Sequence, residues 1–179
     1  MKNLCLLTCL VLLASCQQAQ KESTEIEARF FDLKNYISAE IERLNQEQPN
    51  VRKKVAINGK TEEHDFHQLH YEKELDVFLQ SDINRLAWYD KYQVDSLMEN
   101  GQLKTLIYKA TDPKLKTQKL EINLANAKVE SIHIANQSYT FIATAQQTAI
   151  YQPDSGYSFE SLQSNILGSK RDISMEVQF

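Results

Sequence analysis

Residues 120–135, LEINLANAKVESIHIA, contain the pattern that decides the fold. Apolar and polar residues alternate from Leu120 to Leu124, which is the two-residue period of a half-buried β-strand. The short segment Ala125-Asn126-Ala127 then interrupts the alternation as a turn, and a second strand-like run follows at 129–135. Two such runs joined by a tight turn predict an antiparallel hairpin.

Similar runs lie on both sides of this hairpin, from residue 88 to the end of the chain. Asn100-Gly101 is the preferred pair for a type I′ turn, because both turn positions need a positive φ. The last run is the most regular, with an apolar residue at every second position from Ile173 to Phe179. Seven strands are predicted in all, at 88–98, 103–107, 120–124, 129–135, 139–151, 157–166 and 173–179.

Two helices are predicted before these strands. Thr24 and Glu27 form a capping box, and the first helix should end before Pro49. Between the helices, Asn58-Gly59 predicts a short charged hairpin, and the second helix is expected over residues 66–80. The apolar stripes of the two helices are Ile26, Phe30, Leu33, Ile37, Ile41 and Leu44, then Tyr71, Leu75, Phe78 and Leu79.

The predicted fold class is therefore α+β. Two N-terminal helices are expected to pack on one face of a curved antiparallel β-meander of about seven strands. The length suits one domain, which we assign to residues 24–179.

The N-terminus has the pattern of an export signal. A short charged start precedes an apolar run at 4–14, which as a helix would span only about 16 Å, too short to cross a membrane. The run ends in Leu13-Ala14-Ser15-Cys16, which resembles the lipobox of bacterial lipoproteins. The resemblance implies that residues 1–15 are a signal peptide, that Cys16 receives the lipid, and that 16–23 are a polar tether.

The resemblance also implies a location and a partner. Several acyl chains on Cys16 would hold the protein stably on a membrane. Gln17, rather than Asp, after the cysteine favours the outer membrane of the cell envelope by analogy with Gram-negative sorting. The other two cysteines, Cys5 and Cys9, lie in the signal peptide, so the mature domain has no thiol for a disulfide.

A looser resemblance covers most of the mature chain. The order of long helix, Asn-Gly hairpin, a Glu-Leu-x-x-Phe segment starting at Glu74, an Asp-Ile-Asn turn starting at Asp82 and a meander is similar to small uncharacterised lipoproteins of Bacteroidota. This likeness implies a similar fold and membrane placement. It implies no activity.

Charge and motif content exclude several classes of function. The formal net charge is −4, whereas nucleic-acid binding needs a basic stripe, so no nucleic-acid partner is expected. Nucleophile elbows and phosphate-binding glycine loops are absent from the sequence. No cofactor is expected.

Histidines form the only cluster with a chemical interpretation. His64, His67 and His70 recur every three residues among acidic side chains, and imidazole and carboxylate are zinc ligands. If the helix begins at residue 66, His67 and His70 are neighbours on its surface. His67 and His70 are therefore weak candidates for metal ligands. The simpler interpretation is that these residues form a hydrated helix start. His133 is expected to be an ordinary residue on a sheet face.

Aromatic residues leave a second ambiguity. They could line a groove for sugar or lipid, although such residues more often fill a core between helices and a sheet. The residues concerned are Trp88, Tyr89, Tyr92, Tyr108, Tyr139, Phe141 and Tyr151.

Three functions are compatible with these patterns. We expect a membrane-anchored, non-enzymatic envelope lipoprotein that binds or assembles with an envelope protein, through its exposed sheet face or strand edges. The first alternative is a carrier of lipid or another apolar ligand, which requires an apolar cavity between helices and sheet. The second is a zinc-dependent hydrolase that uses His67 and His70.

Overall fold

The structure is a computed structural model that describes residues 28–179. Its main element is one nine-stranded antiparallel sheet with the strand order β2-β1-β9-β8-β7-β6-β5-β4-β3. The strands are β1 (Val51–Ile57), β2 (Lys60–Phe66), β3 (Tyr92–Glu99), β4 (Gln102–Ala110), β5 (Thr117–Ala125), β6 (Lys128–Tyr139), β7 (Ala143–Gln152), β8 (Gly156–Asn165) and β9 (Lys170–Gln178).

Helices cover one face of this sheet. The long helix α1 spans Leu33–Glu47, and two one-turn helices follow β2, α2 at Tyr71–Glu74 and α3 at Asp76–Leu79. A 3-10 turn at Leu86–Trp88 leads into β3. We call the face under these helices the covered face and the opposite one the open face.

The core lies between the helices and the covered face. Leu33, Ile37, Ile41 and Leu44 of α1 point into it, which is the predicted stripe of that helix. The sheet contributes residues from neighbouring strands, including Leu120, Ile122, Ile132, Ile134, Ala149, Tyr151, Tyr157 and Val177.

The predicted fold class is wrong in its count of helices and strands. Among residues 28–179, only α1 is a substantial helix, and the sheet has nine strands rather than seven. The hairpin of β1 and β2 supplies the two extra strands, because β1 pairs with β9 and so joins the main sheet. That pairing joins residues about 120 apart in sequence, such as Val55 and Met175, and no local pattern reveals it.

The predicted second helix is also wrong. Phe66 belongs to β2, where it lies opposite Val51. Leu75 interrupts the remainder with a φ of −96° and a ψ of 7°, leaving two four-residue helices. Its predicted stripe still packs inward, since Tyr71, Leu75 and Phe78 are buried.

Two boundaries differ from prediction as well. Helix α1 starts at Leu33 with Asp32 as its N-cap, which accepts a hydrogen bond from the Asn35 amide, whereas Thr24 and Glu27 lie outside the described residues. The strand predicted at 139–151 begins later, because Tyr139 ends β6 and a turn at 140–142 precedes β7 at Ala143. Both Asn-Gly turns are confirmed, with positive φ at Asn58, Gly59, Asn100 and Gly101.

Candidate functional site

The open face of the sheet carries a groove of about 710 Å³ across β1, β9, β8 and β7. Strand register places its side chains side by side: Lys54 lies opposite Glu176, which lies opposite Ser158 on the next strand. Glu160 and Ser174 form the next cross-strand pair. The groove is thus built by the alternation of these strands, whose other residues face the core.

Polar side chains dominate this groove. Its charged residues are Lys54 and three acids, Asp154, Glu160 and Glu176, so it is acidic overall. Most remaining side chains on the open face here are hydroxyls and amides, with Ile150 as an apolar exception. Ligand sites of this volume are usually mostly apolar, so the lining suits a polar or basic ligand.

A chain of polar side chains crosses the open face on β4, β5 and β6. Thr105 Oγ1 donates to Asn123 Oδ1 at 3.0 Å, and Asn123 Nδ2 donates to Ser131 Oγ at 3.0 Å. His133 Nε2 lies 3.1 Å from the same Ser131 hydroxyl. Sequence reasoning missed this network, because its members are brought together only by strand register.

Ser131 and His133 have the distance of a nucleophile and its base, but their surroundings fit a structural role. Glu121 lies opposite His133 in the ladder, yet its carboxylate pairs with Lys119 at 2.7 Å. The hydrogen bond from Lys119 is the main reason that the pKa of Glu121 is lowered. Ser131 is buried and receives the Asn123 amide, so its hydroxyl is held within the sheet surface.

The histidine candidates do not form a common site. His64 lies on β2 opposite Lys53, and His67 follows that strand, with its Nδ1 2.8 Å from Asn50 Oδ1. His70 is the N-cap of α2. Neither His67 nor His70 is within a helix, so the predicted helical spacing is absent. Within residues 28–179, no group of three or more potential metal ligands was found.

The predicted aromatic group divides into two sets. Tyr92, Tyr108 and Tyr151 are buried in the core, and Trp88 and Tyr89 pack against it. Tyr139 and Phe141 are exposed instead, and Phe141 exposes 94% of its side chain. The first set fills the core, whereas the second belongs to a different surface.

That surface is formed by two adjacent turns, which we call the apolar tip. The β6–β7 turn and the β8–β9 turn touch through a hydrogen bond from the Ile166 amide to the Ile142 carbonyl. The apolar tip consists of Tyr139, Phe141, Ile142, Leu162, Ile166 and Leu167, each at least 59% exposed. The alternation from 139 to 151 predicted only strand residues here, so the sequence did not reveal this exposure.

The centre of the interface between helices and sheet is filled by protein side chains. Ile37, Phe78 and Ile132 are fully buried there. A pocket of about 350 Å³ at the margin of the interface, beside α3, is lined mainly by polar and charged residues such as Lys73, Asp76 and Lys116. Two tyrosines link the layers: Tyr151 donates to Glu40 at 2.6 Å, and Tyr157 donates to Glu74 at 3.1 Å. This packing favours a solid core over the cavity that an apolar-ligand carrier needs.

Burial is the main cause of the raised pKa values of these two tyrosine hydroxyls. The adjacent carboxylates, Glu40 for Tyr151 and Glu74 for Tyr157, raise them further. Glu40 is also paired with Arg43 at 2.8 Å, and Glu74 with Lys53 at 2.7 Å. The two hydroxyls therefore remain protonated, and their hydrogen bonds join the sheet to the helices.

Cys16 and the proposed tether lie outside the described residues. Among the described residues, no helix is both long and apolar enough to cross a membrane. Comparisons of the chain with protein families, curated proteins and solved structures found no match.

Proposed function

We propose that this chain is an envelope lipoprotein, anchored through Cys16, whose domain is a non-enzymatic docking module for a polar, basic segment of another envelope protein. One observation carries the docking role: the acidic groove on the open face of β1, β9, β8 and β7. The anchoring role is supported by the lipobox-like Leu13-Ala14-Ser15-Cys16. The outer membrane is the proposed location because Gln17 follows the cysteine.

The chemistry of the groove defines the partner. Asp154, Glu160 and Glu176 outnumber Lys54, so a segment with Lys or Arg residues is electrostatically complementary. The cross-strand hydroxyls of Ser158 and Ser174 offer hydrogen bonds to a peptide backbone or to polar side chains. An extended segment can lie across several strands and contact them together.

The anchor is tested by metabolic labelling with a fatty-acid analogue. The wild-type chain should incorporate the label, and Cys16→Ala should not, because it lacks the only cysteine that follows the apolar run. Gln18→Ala, in the proposed tether, serves as a control that keeps both the thiol and the lipobox-like motif. Equal labelling of wild type and Cys16→Ala would refute the anchor.

The docking role is tested by photo-crosslinking in living cells. A photoreactive residue at Ser174, within the groove, should give a discrete crosslinked product, and one at the exposed Glu42 of α1 should not. Adding Glu160→Lys reverses one charge in the groove and should lower the yield from position 174 by about tenfold. A yield that is insensitive to Glu160→Lys, or equal from both positions, would exclude the groove as the docking site.

A further inference from the structure

We infer that the apolar tip is a membrane-insertion element that inserts into the anionic phospholipid surface to which the chain is tethered. This inference rests on the proposed lipid anchor and adds a second, protein-based contact with the bilayer. Half of the large hydrophobic residues with high exposure among residues 28–179 lie in this one place. Contiguous exposed apolar surface of this kind marks protein or membrane contacts.

The shape of the apolar tip favours a bilayer. Four of its residues, Phe141, Ile142, Ile166 and Leu167, lie in two adjoining turns at the end of the sheet. Tyr139 stands behind them on the open face, with its hydroxyl 3.1 Å from Gln137 Oε1. Apolar side chains that project beyond an amphipathic tyrosine match the change from acyl chains to headgroups.

Charge at the same end of the sheet is complementary to anionic lipid. In an antiparallel sheet this end collects the segments 57–61, 81–91, 111–117, 138–143 and 165–172. These segments contain seven basic residues and four acidic ones, although the whole chain has a net charge of −4. The basic residues are Lys60, Arg85, Lys91, Lys114, Lys116, Lys170 and Arg171, and the acidic residues are Asp82, Asp90, Asp112 and Asp172.

The described part of the chain begins at this end as well. Phe30 packs edge-on against Tyr92, the first residue of β3, and against Tyr108 near the end of β4. The Phe31 amide donates to the Tyr108 hydroxyl at 3.1 Å. Both strand ends lie at the end of the sheet that carries the apolar tip, because neighbouring strands alternate in direction.

The length of the tether is compatible with insertion. Ala28 lies twelve positions after Cys16, with eleven residues between them. Fully extended, this stretch reaches about 40 Å at most, so the start of the domain stays within that distance of the anchored cysteine. A tether and an insertion element at the same end would together present this end of the sheet to the bilayer.

The test uses the protein after signal-peptide removal and lipidation at Cys16, bound to vesicles of phosphatidylcholine with phosphatidylglycerol. The described residues contain no cysteine, so Phe141→Cys provides a single site in the domain for an environment-sensitive dye. The matched control is Asp154→Cys, in the β7–β8 turn at the opposite end of the sheet. Spin-labelled lipids should quench the dye at position 141 and leave it unquenched at 154.

If the dye at position 141 stays unquenched in lipidated protein that is bound to vesicles, the proposed insertion of the apolar tip is wrong, while the anchor at Cys16 stands. Shielding of that dye in the absence of vesicles, with crosslinking between copies, would identify a second copy as the occupant and also overturn the insertion.

A separate readout does not depend on the anchor. A chain without residues 1–16, which lacks both the apolar run at 4–14 and Cys16, should float with anionic vesicles, and it should do so less with vesicles of phosphatidylcholine alone or at high salt. Combining Phe141→Ser with Leu167→Ser should weaken flotation about tenfold, whereas combining Leu97→Ser with Met98→Ser, two exposed apolar residues near the opposite end of the sheet, should not weaken it. If the Cys16 labelling experiment fails and flotation still depends on the apolar tip, the anchor is wrong and the insertion element stands. Flotation equal for the tip double variant and its parent would overturn the insertion.

Discussion

Gly156 begins β8 at a point where no other residue fits. Its φ is +135°, a conformation that L-residues rarely adopt, and a Cβ there would lie 1.9 Å from the Val177 carbonyl oxygen. That oxygen belongs to the backbone of β9, which is held by pairing on both sides. The residue is therefore fixed by a close approach of two strands as well as by its own backbone angle.

Gly156→Ala should lower the free energy of unfolding by about 3 kcal/mol, from strain and overpacking together. The control is Gly168→Ala, which also has a positive φ, +81°, but meets nothing within 4 Å. It should lose only about 1 kcal/mol. Urea unfolding followed by circular dichroism measures both variants, and equal losses would show that the contact with Val177 carries no cost.

At the scale of elements, the segment that precedes α1 makes two backbone hydrogen bonds with one side chain, Asn84. Asn84 Oδ1 accepts from the Phe30 amide at 2.9 Å, and Asn84 Nδ2 donates to the Phe31 carbonyl at 3.0 Å. Asp82 holds Asn84 in turn, accepting from its amide at 3.1 Å. The Asp-Ile-Asn turn thus anchors the segment that links the domain to its proposed tether.

Asn84→Ala should free this segment, because two backbone groups lose their partner. We expect a loss of about 1–3 kcal/mol and faster hydrogen exchange at the amide of Phe30. Asn45→Ala removes an exposed hydrogen bond to Glu72 and should cost less than about 0.5 kcal/mol. Unchanged exchange at Phe30 in Asn84→Ala would contradict the anchoring role.

The elements differ in how far the sequence predicts them. Asn58-Gly59 and Asn100-Gly101 are predictable because a positive φ is a local requirement. The apolar stripe of α1 is also local, since each position repeats after three or four residues. Residues 66–80 have the same period, but pairing of Phe66 with Val51 removes their first turn from any helix. A tertiary contact decides that segment, and a local pattern cannot report it.

Surfaces are less predictable than elements for the same reason. Ile142 and Ile166 look like core residues in sequence, and only the position of their turns beyond the helices exposes them. Conversely, β2 is a charged edge strand whose seven residues are all exposed, a composition that discourages pairing with other chains. The groove also depends on register between β1 and β9, so sequence reasoning could predict an exposed face but not its chemistry.

At the scale of the whole molecule, the free energy of unfolding should depend on pH in the alkaline range. The reason is the pair of tyrosines, Tyr151 and Tyr157, that join the helices to the sheet. Tyr151 and Tyr157 lie opposite each other on β7 and β8 and reach Glu40 and Glu74 on different helices. Their pKa values in the folded protein are raised above the ordinary value near 10, chiefly by burial. Below that ordinary value both states are protonated, and the contribution of the tyrosines to stability is complete.

Above about pH 10 the unfolded chain loses these protons while the folded protein keeps them. The free energy of unfolding should therefore fall, by up to about 1.4 kcal/mol per pH unit for each such tyrosine once the unfolded chain is fully ionised. Tyr157→Phe should reduce the slope by about 1 kcal/mol per pH unit in urea titrations between pH 10 and 11, although it also removes a hydrogen bond at neutral pH. Asn45→Ala, which removes a surface hydrogen bond and no tyrosine, should leave the slope unchanged. A slope that is insensitive to Tyr157→Phe would mean that the hydroxyl ionises freely in the folded protein, and that the joint between helices and sheet is looser than its buried contacts indicate.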